Sequence, residues 1–191
     1  MVRNGELFWV WEGEVKKEVC NHFVEHYFKP DLSHKAAIGG TSEKHGAVNE
    51  SVRKTNVCWI DDQLNPLYLL MCNYILKANV SAKWFFDVRG IEPIQLGSYQ
   101  DGGFYDFHQD NPLGAEDENG ATRKLSGVMF LSDEKAYEGG DLVMFLGKEV
   151  IVPKAQGTIV VFPSATYHKV TPVTKGDRFS AVCWAKGPAF S

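Results

Sequence analysis

From Lys83 onward the chain is cut into short apolar stretches separated by turns, a punctuation that restricts this region to a mostly β core. Nine stretches of four to eight residues read as strands: Trp84–Val88, Glu92–Tyr99, Tyr105–His108, Lys124–Leu131, Asp141–Leu146, Glu149–Val152, Thr158–Phe162, His168–Val173 and Arg178–Trp184. About eight strands of this kind close most readily as a jelly roll, a double-stranded β-helix. The acidic run from Asn111 to Thr122, NPLGAEDENGAT, reads as a solvated loop between two of them.

The residues before Lys83 supply support. Glu6–Trp11 alternates aromatic and branched residues as a strand does. Between Glu14 and Phe28 the apolar residues recur at helical spacing until Pro30 stops them. A second helix starts at Asp61–Asn65 and ends near Val80; it is apolar around so much of its circumference that burial on most sides is expected. These helices should brace one sheet of a mainly β fold with flanking α. The expected organisation is one domain over residues 1–191, with 1–83 as support and lid and 84–191 as the jelly-roll core. The lid is Ile38–Ser51, glycine-rich, polar and without periodicity. After it, Arg53 opens RKTNVCWI, which reads as a strand, and the ordinary role of Arg53 is a surface charge.

With 24 acidic and 20 basic residues the net charge is −4, so the chain lacks the broad positive surface that grips a phosphate backbone. No basic start followed by an apolar core marks a signal peptide, and no apolar run is long enough to span a bilayer. Cys20, Cys58, Cys72 and Cys183 are scattered with no CxxC pair, which fits reduced thiols in a cytoplasmic protein.

The chemistry concentrates in Tyr99–Asp110, YQDGGFYDFHQD. On a strand, His108 and Asp110 point to one face with Gln109 turned away, so both can reach one ion. His168 follows 58 positions after Asp110 and is the only other histidine in the C-terminal half. Two neutral imidazoles and a carboxylate on one face of an octahedral metal leave three adjacent positions open, the arrangement suited to oxygen-activating ferrous iron. Arg178, ten residues beyond His168, could hold an acidic co-substrate through its two-pronged donor set. If Thr174–Gly176 is a three-residue hairpin loop, His168 and Val170 share a sheet face with Arg178, Ser180, Val182 and Trp184. His168 and Arg178 would then lie ~13 Å apart along the strands. Each residue also has an ordinary reading: His108 as a core histidine, Asp110 as a turn former before Asn111 and Pro112, Arg178 as half of a surface ion pair. The string His22, Glu25, His26 has the HxxEH form of some zinc proteases, but such a polar stripe is commonplace on an amphipathic helix and no obvious helix with a third ligand follows, so a solvated helix face is the expected reading.

IQLGSY, YQDGGFYDFHQD, EGGDLVMF, GTIVVFPS and HKVTPVTKGDRFSAVCW together resemble the iron(II)- and 2-oxoglutarate-dependent oxygenases, in their prolyl 4-hydroxylase-like branch. The resemblance implies His108, Asp110 and His168 as iron ligands, Arg178 as the 2-oxoglutarate clamp, and Tyr99 and Ser180 as auxiliary donors to it. It places Trp184 near the co-substrate and raises Arg53 and the lid as substrate contacts. Ferrous iron, 2-oxoglutarate and dioxygen are the implied cofactors, with ascorbate a further candidate. The implied activity is hydroxylation of an unactivated C–H bond with release of succinate and carbon dioxide. A peptidyl proline in a peptide or protein is the first substrate expected, and a free amino acid or other small molecule is the second. A jelly-roll module that holds a metal or ligand without turnover is the alternative from another class. A nucleic-acid substrate fits the acidic balance poorly, and no membrane partner is expected.

Overall fold

The computed structural model describes residues 7–37, 47–111 and 115–189. In the supporting region, β1 (Trp9–Trp11) precedes α1 (Lys17–Tyr27), and a 3-10 turn at Pro30–Leu32 ends the helical segment. Three short strands follow, β2 (His34–Lys35), β3 (Arg53–Lys54) and β4 (Asn56–Ile60), and then α2 (Pro66–Ser81). Asn65 caps α2 by accepting a hydrogen bond from the Leu67 amide at 2.9 Å, and Pro66 supplies a preset φ at the first helical position. The core continues with β5 (Gly90–Ile91), β6 (Ile94–Tyr99), β7 (Phe104–His108), β8 (Ala121–Phe130), β9 (Glu138–Gly139), β10 (Leu142–Phe145) and β11 (Glu149–Ile151). It closes with β12 (Ile159–Pro163), β13 (His168–Val170), β14 (Val173–Lys175) and β15 (Arg178–Pro188).

Two antiparallel sheets face each other as a jelly roll. The major sheet runs β1-β12-β8-β15-β6-β4-β2 with β5 added to β15, and the minor sheet runs β11-β10-β13-β7-β3. Period-two alternation in the major sheet separates two cores. Leu125 and Met129 of β8, Ile159 and Val161 of β12, and Ala181, Cys183 and Ala185 of β15 pack outward against Cys20 and Phe23 of α1 and Leu67, Met71, Ile75 and Ala78 of α2. The intervening residues Val128, Phe130, Val160 and Phe162 point inward and meet Leu142, Met144 and Val170 of the minor sheet. Leu67, Met71 and Ile75 are at most 1% exposed, and each contributes roughly 1.5–3 kcal/mol by leaving water.

Four expectations need correction. Trp84–Val88 is not a strand: the amide of Asn79 captures both polar groups of the Phe86 backbone at 2.9 Å, and the Trp84 and Phe85 amides donate to the Asn79 carbonyl. The outer face of α2 is not buried, since Leu69, Leu76 and Val80 are 53%, 46% and 64% exposed. RKTNVCWI is two strands in different sheets, with β3 paired to β7 and β4 to β6, so the chain crosses between the sheets at Thr55. The proposed hairpin does not form either. β13 pairs with β10 and β7 in the minor sheet, β14 pairs with β9, and β15 belongs to the major sheet. Gly176 does have a positive φ of 72°, but the turn lodges it against the Ala136 carbonyl, 2.1 Å from where a Cβ would stand, and redirects the chain to the opposite sheet.

Candidate functional site

The end of the sandwich not filled by the inner core is a cavity of about 700 Å³ lined by residues of both sheets. His108, the last residue of β7, and His168, the first of β13, are register partners, so strand pairing sets the imidazoles side by side. Their ring centroids are 4.2 Å apart. Each Nδ1 lies against a backbone carbonyl two residues back, Asp106 at 2.8 Å and Thr166 at 2.9 Å. Neutral rings donate from Nδ1 in that setting and leave the Nε2 lone pairs free. Both Nε2 atoms face Asp110, His108 to Oδ1 at 3.5 Å and His168 to Oδ2 at 3.7 Å.

Asp110 is not on a strand as the alternation argument required; β7 ends at His108, and the carboxylate is held by side links instead. Ser126 of β8 donates to Asp110 Oδ2 at 2.6 Å and contacts Ser164 at 3.0 Å, while the next amide, Asn111, donates to the Ser164 carbonyl. Gln109 does not turn away but lines the cavity. Among the described residues the three ligand-bearing side chains are the one group that converges, with donor atoms within 4.8 Å of one another. Burial pushes the His168 imidazole down to about 4, against the pull of Asp110, so it is neutral near pH 7. Burial alone would raise the Asp110 carboxyl, but the two imidazoles outweigh it and hold the group below the usual carboxylate range. Two imidazole nitrogens and one ionised carboxylate on one side of a point form a donor set that could hold a divalent first-row metal with the cavity side open.

Arg178, the first residue of β15, is 1% exposed and pairs in register with Tyr99, the last of β6. Its Nη1 donates to Ser180 at 3.2 Å, and the guanidinium lies 4.9 Å from the Tyr99 ring and 5.3 Å from that of Phe130. The buried Nε has no hydrogen-bond partner among the described residues. A buried cation so poorly compensated suits an anionic ligand in the cavity. Gly140 makes room for it, because a Cβ there would stand 2.7 Å from Arg178 Cδ.

His108, Asp110, His168, Arg178, Tyr99, Ser180, Arg53 and Trp184 all line this one cavity. Arg53 is buried, not a surface charge: its Nη2 donates to Gln95 at 2.7 Å and it lies over Tyr105, whose ring stacks on His108 at 3.4 Å. Of the aromatic residues on the surrounding strands, Tyr105 lines the cavity, Phe130 and Phe162 are core, and Phe107 and Phe145 pack against each other, with Phe145 51% exposed. Sequence reasoning missed Ser126, Gln95, and the Arg123–Glu92 pair, whose bonds of 2.8 and 2.5 Å set Arg123 4.0 Å from the Trp184 ring. Glu92, a charged residue 7% exposed, gives no local signal of its partner 31 positions away. His22, Glu25 and His26 lie on the exposed side of α1, with the two imidazoles stacked at 3.8 Å, so the solvated-face reading of that string holds. Most of the expected lid, residues 38–46, lies outside the described residues. No helix among the described residues is long and apolar enough to cross a membrane.

Residues 94–186 match the 2OG-Fe(II) oxygenase superfamily. A PKHD-type hydroxylase of Synechococcus sp. strain CC9605 is 40% identical over 132 residues, covering 64% of this chain and 57% of the relative. The chain spans about half the length of the curated relatives it matches. In fold it is similar to the viral collagen prolyl hydroxylase of Paramecium Bursaria Chlorella virus-1, with a TM-score of 0.72, 18% identity, and coverage of 98% and 99% of the two chains. It is also similar to a Trichoplax adhaerens prolyl hydroxylase in complex with a hypoxia inducible factor peptide fragment, with a TM-score of 0.69, 16% identity, and coverage of 95% and 84%. The jelly-roll region of the chain, residues 94–186, belongs to the 2OG-Fe(II) oxygenase superfamily, in a prolyl 4-hydroxylase-like fold.

Proposed function

We propose that the chain is an Fe(II)- and 2-oxoglutarate-dependent dioxygenase that hydroxylates an unactivated C–H bond, with a peptidyl proline as the first substrate to test. The observation that carries the reading is the convergence of His108, Asp110 and His168 on a cavity that is also lined, from the other sheet, by the buried Arg178. In this reading the three converging side chains hold iron, Arg178 and Ser180 take the distal carboxylate of 2-oxoglutarate, and Tyr99 borders it. Iron, 2-oxoglutarate and dioxygen, when bound, supply an oxidant that inserts oxygen into a C–H bond while 2-oxoglutarate is converted to succinate and carbon dioxide.

The protein's own part is placement. The backbone carbonyls of Asp106 and Thr166 fix which imidazole nitrogen faces the metal, and Ser126 fixes the carboxylate rotamer. The paired sheets keep bulk water from the inner wall, where Val128, Leu142 and Val170 border the cavity. A peptide substrate is supported by the likeness of fold to prolyl hydroxylases, one of them in complex with a peptide.

The test is a screen of proline-containing peptides and free amino acids, with added Fe(II) and 2-oxoglutarate, with and without ascorbate, scored by succinate formation and a mass gain of one oxygen. Arg178→Ala should lose at least tenfold in turnover at limiting 2-oxoglutarate, in line with loss of a charge-assisted pair. The exposed Arg89→Ala should not. Succinate formation that persists without Fe(II), or is unaffected by Arg178→Ala, defeats the reading.

A further inference from the structure

The cavity wall carries four arginine and lysine side chains, Arg53, Arg123, Arg178 and Lys186, and their partners separate them. Arg123 is gripped through two bonds by Glu92, and Lys186 pairs with Asp117 at 2.6 Å. Arg178 faces the co-substrate in the reading above. Arg53 is left over.

Arg53 is 8% exposed, so more than nine-tenths of it is out of water. What replaces water is the neutral amide of Gln95 at 2.7 Å and the face of Tyr105, with the guanidinium 4.5 Å from the ring centroid. Its Nε is buried with no hydrogen-bond partner, and no ion pair reaches it among the described residues. A neutral amide and a ring face do not compensate a guanidinium for lost hydration as a carboxylate does. Its position is equally specific. Arg53 and Tyr105 are register partners across β3 and β7, and the same Tyr105 ring stacks on His108 at 3.4 Å. An anion on Arg53 is therefore about one aromatic ring away from a metal-facing imidazole.

We propose that Arg53 receives a carboxylate of the substrate, so that the molecule oxidised is an acid, or a peptide whose target residue sits beside an acidic group. The inference rests on the dioxygenase reading of the cavity and narrows its substrate class. Gln95 and Tyr105 act as positioning residues, the first by holding one Nη and the second by supporting the guanidinium plane.

The experiment compares matched acids and amides by NMR titration of the full chain with Zn(II) and saturating 2-oxoglutarate. N-acetylproline against N-acetylprolinamide tests a terminal carboxylate; acetyl-Pro-Asp-amide against acetyl-Pro-Asn-amide tests a neighbouring side chain. Whichever acid carries the right source should bind on the order of tenfold tighter than its amide, the worth of one charge-assisted contact. Arg53→Gln should erase that preference and leave 2-oxoglutarate binding unchanged, whereas Arg178→Gln should weaken 2-oxoglutarate and keep the preference. Equal binding of acid and amide in both pairs, no binding of either acid, or a preference that survives Arg53→Gln overturns the proposal. The acid-against-amide comparison on the unaltered chain decides even if Arg53→Gln fails to fold. Failure of the dioxygenase reading shows separately, as absence of metal-dependent 2-oxoglutarate binding, and the same titrations on the metal-free chain then still report on Arg53.

Discussion

At the scale of single residues, the converging trio of His108, Asp110 and His168 is fixed by neighbours as much as by its own members. Ser126 is fully buried and its one hydroxyl fixes an oxygen of Asp110. Replacing it with alanine frees the carboxylate rotamer and should weaken metal binding by about 10–100-fold, measured by chelator competition. His168 gives a pH test. Its unfolded value of 6.5 falls to about 4 in the fold because burial disfavours the imidazolium. Between those limits the unfolded chain binds a proton that the folded chain refuses, so the metal-free protein loses stability as the pH falls from 6.5 toward 4. Urea midpoints at pH 7.5 and pH 5 check this, and His168→Gln should flatten the difference. The convergence of His108, Asp110 and His168 was legible in the sequence because HxD and a distant histidine are chemically unusual in combination. The supports were not, since Ser126, Gln95 and Glu92 are common residues whose roles exist only through partners on other strands.

At the scale of elements, short apolar stretches bounded by turns announced β8, β12 and β15, and the two faces of these strands meet different cores. Connections were harder to read. A glycine before Arg178 signals a turn equally well whether the chain folds back on its own strand or crosses to the opposite sheet. What decides is the fit of Gly176 against Ala136, a contact invisible in sequence. The false strand at Trp84–Val88 failed for a related reason: Asn79 offers its amide to the Phe86 backbone, and an edge ladder cannot compete with bonds already made. Asn79→Ala leaves a donor and an acceptor of Phe86 without that partner and should cost about 2 kcal/mol, read as a lower urea midpoint with unchanged slope.

At the scale of the whole molecule, the supporting region and the jelly roll share their sheets: β1, β2 and β4 lie in the major sheet and β3 extends the minor one. Metal binding to the folded chain alone should therefore be felt across the fold. At a metal concentration of 100 times Kd the gain is about 2.7 kcal/mol, which for a chain of this size raises Tm by roughly 5–10 °C in a thermal melt, reversed by chelator. His108→Ala should abolish the increment. The imidazoles belong to one sheet and Arg178 to the other, joined at this end of the sandwich by side chains rather than by a shared ladder. In the proposed reading, a small molecule gripped at both extremities would become a tie-rod between the two leaves and set their spacing. The geometry of the workplace is then partly delivered by the reagent, and an imitation that is one methylene too short would draw the leaves together or lose its hold on one of them.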